Sequence, residues 1–164
     1  MQNHPAPRAV RGIASGRYRE RLAPSLKIIA AAAIIAPMVM LVFVRMNVFV
    51  ALALSVGTAL ALIGLLIALA PVVEVEGGEL RAGRAHIDVA LLGDPEPLDG
   101  DAARAARGAD IDARGWYLIR GGIAGIVFVP NIDPDDPVTS WTISTRTPDR
   151  LAAAIRRAQR READ

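Results

Sequence analysis

Two stretches free of ionisable side chains, residues 28–44 and 48–70, restrict the fold of this 164-residue chain more than anything else in it. An α-helix rises about 1.5 Å per residue, so the 17 residues of the first stretch reach about 26 Å and the 23 of the second about 34 Å. Those lengths bracket a hydrocarbon layer of roughly 30 Å. Only Arg45, Met46 and Asn47 lie between them, so an antiparallel hairpin is expected. Lys27 extends the first span to residues 26–44, because its aliphatic stem can lie along the helix while the ammonium reaches the interface. Pro37 falls mid-span, which a bilayer tolerates where neighbours satisfy the carbonyl it frees. In the second span Ala53, Gly57 and Ala61 recur every four residues, with Gly64 beside them. Small side chains let helices approach closely in lipid, and this stripe is expected to pack on the first helix. Ala68, Leu69 and Ala70 imitate a signal-cleavage site, but Pro71 follows and a complete span precedes, so cleavage is not expected.

Charge divides the chain at the same place. Residues 1–70 hold seven basic side chains against Glu20 alone, a balance of +6, and the net charge of +2 therefore leaves −4 for residues 71–164. A nucleic-acid partner is excluded on this reading, since its binding face would need the basic groups on the folded domain. Basic residues cluster before the first span and only Arg45 sits in the loop, so the N-terminus is expected to be cytoplasmic. Two crossings return the rest of the chain to that side. The expected division is a basic cytoplasmic segment 1–25, spans 26–44 and 48–70, and a cytoplasmic domain 71–164, in a multi-pass protein of the inner (cytoplasmic) membrane. Tyr18 suits the headgroup layer. The absence of Cys rules out disulfides, thiolate nucleophiles and thiolate-ligated metals.

After Pro71 the pattern alternates. Val73 and Val75 alternate with Glu74 and Glu76, Gly77-Gly78 turns the chain, and a returning strand follows. Further strands are expected over 84–89, 116–120, 123–129 and 140–145, with loops at 94–97 and 131–137. Gly121-Gly122 is read as a tight hairpin. A short helix over 101–107 stops at Gly108, and Thr147 with Pro148 starts a final helix whose stripe is Leu151, Ala154, Ile155 and Ala158. The fold class is α+β: a transmembrane helical hairpin, then a small antiparallel β domain with a C-terminal helix, in the manner of a pleckstrin-homology-like half-barrel.

Several short blocks taken together resemble a known family. They are Tyr18-Arg19-Glu20-Arg21-Leu22, Gly78-Glu79-Leu80, Tyr117-Leu118-Ile119-Arg120, Asp133-Pro134-Asp135-Asp136-Pro137, Trp141, Ser144-Thr145-Arg146, Pro148 and Leu151. The family is an actinobacterial one of alanine-rich, two-span membrane proteins catalogued only as a domain of unknown function. The resemblance covers residues 18–155. It implies the architecture and supplies no catalytic residue. The sequence departs from the pattern at Gly121-Gly122 and at Val138-Thr139-Ser140, so no aromatic surface is carried over there.

Candidate sites are few. Asn131, Asp133 and Asp135 alternate as calcium ligands do, but Asp136 and Thr142 stand where an EF-hand needs Gly and Glu. Asp133, Asp135 and Asp136 are therefore read as a turn bonding its own backbone, with Arg120 or Arg146 as a charged partner, and Trp141 joins them as a candidate structural or interaction residue. His86 and Asp88 share a strand face, and Ser140 and Ser144 have no nucleophile elbow around them. No cofactor, metal or catalysis is expected. Arg17, Arg19 and Arg21 before the spans, and Arg156, Arg157, Arg160 and Arg161 on the last helix, are candidate contacts to a lipid surface. The expected function is a membrane-anchored cytoplasmic binding or assembly module whose partner is another protein or a second copy. The alternative is a membrane-bound enzyme or accessory acting on a lipid or nucleotide.

Overall fold

The computed structural model describes residues 17–108 and 111–163. The chain forms a strand, β1 (Tyr18–Arg21), before it enters its apolar stretches. These become α1 (Leu26–Ala33), α2 (Ile35–Phe43) and α3 (Val48–Ala68). Among the described residues, Leu26–Phe43 and Val48–Ala68 are long and apolar enough to cross a membrane. The first stretch, expected to span 26–44 with Pro37 inside it, tightens at Ile34. Pro37 has no N–H for the Ala33 carbonyl and its ring crowds that oxygen, so the turn tightens and Ile34 N–H bonds Ala31 instead. Asn47 Oδ1 starts α3 by accepting from the N–H groups of Phe49 and Val50, at 2.8 and 3.2 Å.

α3 packs on the first helices through Ala51 and Ser55, both buried, and Ser55 Oγ donates to the Ala36 carbonyl at 2.7 Å. The expected stripe of Ala53, Gly57, Ala61 and Gly64 faces outward instead, with nothing within 4 Å of a Cβ built at either glycine. Ala51, Ser55 and Ala59 form a second small row with the same spacing, two residues out of phase. Ser55 is the one hydroxyl in either row, and its bond to the Ala36 carbonyl accompanies the inward turn of its row.

The first sheet is a meander in the order β1, β2 (Val72–Glu76), β3 (Glu79–Ala82), β4 (Ala85–Asp88). Gly77 and Gly78, at φ 58° and 78°, make the two-residue turn that demands positive φ at both positions. β1 pairs with β2 in the register Tyr18 to Val75 and Arg21 to Val72. Residues on either side of the hairpin are thus neighbours in one sheet. Tyr18–Arg21, expected within a separate basic segment, builds the edge of the domain, and Tyr18 turns into the protein rather than toward headgroups.

The second sheet has the order β5 (Glu96–Leu98), β7 (Ile126–Pro130), β8 (Ser140–Ser144), β6 (Trp116–Leu118). β6 runs parallel to β8, a departure from the all-antiparallel expectation. Gly121-Gly122 therefore cannot close a hairpin. It begins a crossover that carries the chain from β6 past β8 to β7, with Gly122 at φ 81°. Part of the expected 94–97 loop is the edge strand β5. Between the sheets and the closing helix α5 (Pro148–Ala163) lies the core, including Leu22, Val73, Val75, Leu80, Val127, Val129, Ile143, Leu151 and Ile155. The opposite face of the second sheet carries Phe128 and Thr142, which border a groove beneath Ala102, Ala105 and Ala106 of and beside α4 (Gly100–Ala105). Two helices covering two faces explain why the segment 123–130 has no polar side chain.

Candidate functional site

Glu20 has the least ordinary position in the molecule. Its neighbours two residues away, Tyr18 and Leu22, point into the domain, and its pairing partner Val73 is fully buried. A carboxylate on the apolar face of a sheet has to find donors, and its side chain is only 14% exposed. Tyr18 donates its phenolic O–H to Glu20 Oε2 at 2.6 Å, and the Thr145 hydroxyl donates to the same oxygen. Arg146 donates its backbone N–H to Oε1 at 3.0 Å, with its guanidinium 3.6 Å away. The Tyr18 oxygen also lies 3.1 Å from Thr145 Oγ1 and 3.0 Å from Thr147 Oγ1. Burial first, and the Glu20 acceptor second, push the Tyr18 phenol above its ordinary pKa. Arg146 reaches on to the carbonyls of Ala23 and Arg21, at 2.7 and 3.4 Å. Two sequence blocks some 125 residues apart, around Tyr18–Arg21 and around Thr145, thus become one polar network. Thr147 opens α5 through its carbonyl, while its hydroxyl serves Tyr18.

This network marks the pole of the domain where the hairpin enters and leaves. Leu22 N–H bonds the Pro71 carbonyl at 2.9 Å. Arg21 Nη2 donates to the carbonyls of Ile67 and Ala68, at 3.0 and 3.3 Å, a cation placed on the negative end of α3. Arg120 belongs to this pole as well. Its N–H bonds Ser144 Oγ at 3.1 Å, and with Gly121, Ala23, Pro24, Ile28 and Leu66 it lines a cleft of about 60 Å³. Gly122 abuts Ser25, since a Cβ there would come 2.4 Å from Ser25 Oγ.

The acidic loop lies at the opposite pole, beyond the far end of β7. Asn131 Oδ1 accepts from Asp133 N–H at 3.1 Å, Asp133 Oδ1 from Asp135 N–H at 3.0 Å, and Asp136 Oδ1 from Val138 N–H at 2.9 Å. Asn131 Nδ2 donates to Asp136 Oδ2 and to the Val138 carbonyl. The side chains are local turn formers, as read from sequence. Neither Arg120 nor Arg146 partners them, because both are held at the pole where the hairpin joins the domain. The rigid loop presents Ile132, 60% exposed, beside Leu91, 38% exposed, through the 2.9 Å bond from Ile132 N–H to the Leu91 carbonyl. Trp141 is buried and stacks on Trp116 with ring centroids 4.5 Å apart.

α5 also ends at this far pole. Gln159 Nε2 donates to the carbonyls of Val89, Leu92 and Gly93, and the Glu162 side chain lies over Gly78. Arg157, Arg160 and Arg161 are exposed there, about a five-residue strand, roughly 17 Å, from the hairpin. Arg156 bonds Asp94 at 2.6 and 3.2 Å and the Pro95 carbonyl at 2.6 Å. These bonds hold the Asp94 carboxyl below the usual range. Arg17 does the same for Glu74, at 2.6 Å, and reaches Glu76 at 3.3 Å. Of the arginines expected at a lipid surface, Arg17, Arg21 and Arg156 therefore have protein partners, while Arg19 is exposed on the outer face of β1.

The remaining candidates separate. His86 Nε2 lies 3.8 Å from Glu79 Oε1, and Asp88 caps the Ala90 N–H at 2.8 Å, so these two do not form a dyad. Ser144 accepts from Arg120, and Ser140 is buried in β8. Tyr18, Glu20, Thr145 and Thr147 were not singled out as site residues from sequence. The available signal was Glu20 itself, the lone acid among seven basic groups, in the alternation Tyr18, Glu20, Leu22.

Residues 17–155 match the model of a family described as a protein of unknown function, DUF3093. The matched stretch takes in both halves of the Glu20 network and stops just before Arg156. No curated protein and no solved structure matches the chain.

Proposed function

The chain belongs to the DUF3093 family, and from that premise we propose that it is a membrane-anchored binding or assembly module without catalytic activity. In this reading the hairpin crosses the inner membrane twice, and the basic residues before it keep both termini cytoplasmic. The alanine-rich, actinobacterial, two-span character of the resemblance is part of the same reading. So is the pleckstrin-homology-like half-barrel, which two four-stranded sheets and a closing C-terminal helix favour and the parallel β6–β8 pair modifies.

The observation that carries the proposal is the polarity of the domain. Its Glu20 network and Arg21 tie one pole to the ends of the spans, and the opposite pole presents Ile132 on a loop stiffened by four side chain to backbone bonds. A rigid, partly apolar projection held away from the bilayer suits recognition of a protein, either another chain or a second copy. Photo-crosslinking in the intact membrane from position 91, which lies beside Ile132, followed by pull-down in mild detergent, tests this. A discrete crosslinked species lost in Ile132→Asp is expected. A strictly monomeric protein with no reproducible adduct would count against the proposal. A reporter fused after Asp164 should read as cytoplasmic.

A further inference from the structure

We propose that the cleft between the first turn of α1, the last turn of α3 and the Arg120-Gly121 corner holds the phosphate of an anionic phospholipid from the leaflet on the domain's side. This rests on the membrane reading above and adds a ligand to it. The cleft has two chemically different walls. Ile28 and Leu66 belong to the ends of the spans and sit where acyl chains begin, and Ala23 and Pro24 continue that apolar floor. Arg120 forms the rim. Its backbone is fixed by the bond to Ser144 Oγ, while among the described residues its guanidinium has neither an ion pair nor a hydrogen bond. The adjacent arginines differ, since Arg21 is engaged by the α3 carbonyls and Arg146 by Glu20 and Ala23. Lys27, exposed one residue into α1 and next to Ile28, adds a second cation that has no ion pair among the described residues.

The size of the cleft agrees with that occupant. About 60 Å³ is roughly two waters' share of liquid volume, the scale of one phosphate group. A fork of guanidinium donors above an apolar floor is complementary to a phosphodiester whose acyl chains run down beside Ile28 and Leu66. Placement at the membrane also separates Arg120 from Arg157, Arg160 and Arg161 of α5, which lie about a strand's length away.

The test uses the full chain in micelles containing equal phosphatidylglycerol and phosphatidylcholine, with retained lipid counted by native mass spectrometry. Wild type is expected to retain phosphatidylglycerol about fivefold over phosphatidylcholine, the contribution of one basic group at a lipid surface. Arg120→Gln should abolish the preference, Arg120→Lys should keep most of it, and Arg160→Gln should leave it unchanged. Equal retention of the two lipids by wild type overturns the site, as does an Arg120→Gln variant that keeps the preference. Loss in Arg160→Gln as large as in Arg120→Gln overturns it too, because bulk charge would then be the cause. Inorganic phosphate at millimolar concentration should not displace the lipid; displacement would assign the cleft to a free anion instead. Alkaline carbonate extraction distinguishes the two levels. A protein that resists extraction yet shows no lipid preference refutes this inference alone, and one that is extracted refutes the membrane reading beneath it.

Discussion

Replacing Glu20 by Ala removes the acceptor of three hydrogen bonds, from the Tyr18 hydroxyl, the Thr145 hydroxyl and the Arg146 N–H. Bonds to a charged group contribute about 1.5–3 kcal/mol each, but they do not add within a network. Two of the donors have alternatives. Tyr18 keeps the Thr145 and Thr147 oxygens within 3.1 Å, and the Thr145 hydroxyl keeps the Tyr18 oxygen at 3.1 Å. Among the described residues the Arg146 N–H has no second acceptor, and Thr145 is fully buried. The expected loss is therefore about 2–4 kcal/mol, above one bond and well below three. For a chain of this size about 1 kcal/mol moves the melting temperature by roughly 2–4 °C, so a fall of about 4–16 °C is expected. Trp116 and Trp141, the two tryptophans, stack in the second sheet and report unfolding by fluorescence in detergent. Thr145→Val should cost less, about 1–2 kcal/mol, and the double variant should show a coupling of about 1 kcal/mol with Glu20→Ala. Arg19→Ala, on the other face of the same strand, is the control and should stay within about 0.5 kcal/mol of wild type. A Glu20→Ala protein as stable as that control would refute the argument that this carboxylate joins the two halves of the domain.

Two further outcomes follow from the same geometry. Arg156 holds the Asp94 carboxyl below its ordinary value, so the stabilisation is present above the unfolded pKa of about 4 and is lost as pH falls through the lower folded value. Wild type should lose stability faster than Arg156→Gln on acidification below about pH 4, with the two curves converging once Asp94 is protonated. Gly122→Ala should lower the melting temperature by several degrees and increase protease cleavage at the 120–125 crossover, because φ is 81° and the new Cβ would strike Ser25.

How much of this could be read from the sequence depends on the range of the interaction. The two long apolar helices, the Gly77-Gly78 turn, the alternating strands 73–76 and 85–88 and the α5 stripe are set by periodicity or by local turn chemistry, and they appear where expected. So do the Asp133 and Asp136 turns, whose partners lie two residues away. What failed was long-range pairing. β1 is four residues of which three are charged, too short and too polar to signal a strand until β2 is supplied from beyond the hairpin. The partner of Arg146 could not be deduced either, since Glu20 and the acidic loop were both available carboxylates and only the fold brings one within reach. The helix stripe failed for a related reason, because two equivalent small rows compete and the one that holds the hydroxyl of Ser55 turns inward.

The pairing of β1 with β2 also constrains how the molecule is made. Because strands on opposite sides of the hairpin pair, a hairpin that crosses a membrane must return both of its ends to one side, whichever side that is. The domain therefore cannot close until α3 has been laid down, and a fragment beginning at residue 71 lacks an edge strand. That fragment would lose fully buried Leu22, about 2–3 kcal/mol of apolar burial, and leave Thr145 and the Arg146 N–H without Glu20. For a small domain holding only about 5–10 kcal/mol in total, such a loss removes most of the stability. The ends to be rejoined are adjacent, since Leu22 N–H lies 2.9 Å from the Pro71 oxygen. Residues 17–23 joined to 71–163 through a short Gly-Ser linker should thus give a cooperatively melting domain, while 71–163 alone should melt at a lower temperature or without cooperativity. Introducing Glu20→Ala into the linked form should erase much of the difference. Equal melting of the two constructions would show that β1 is an accessory strand, and that the hairpin interrupts the sequence without interrupting the fold.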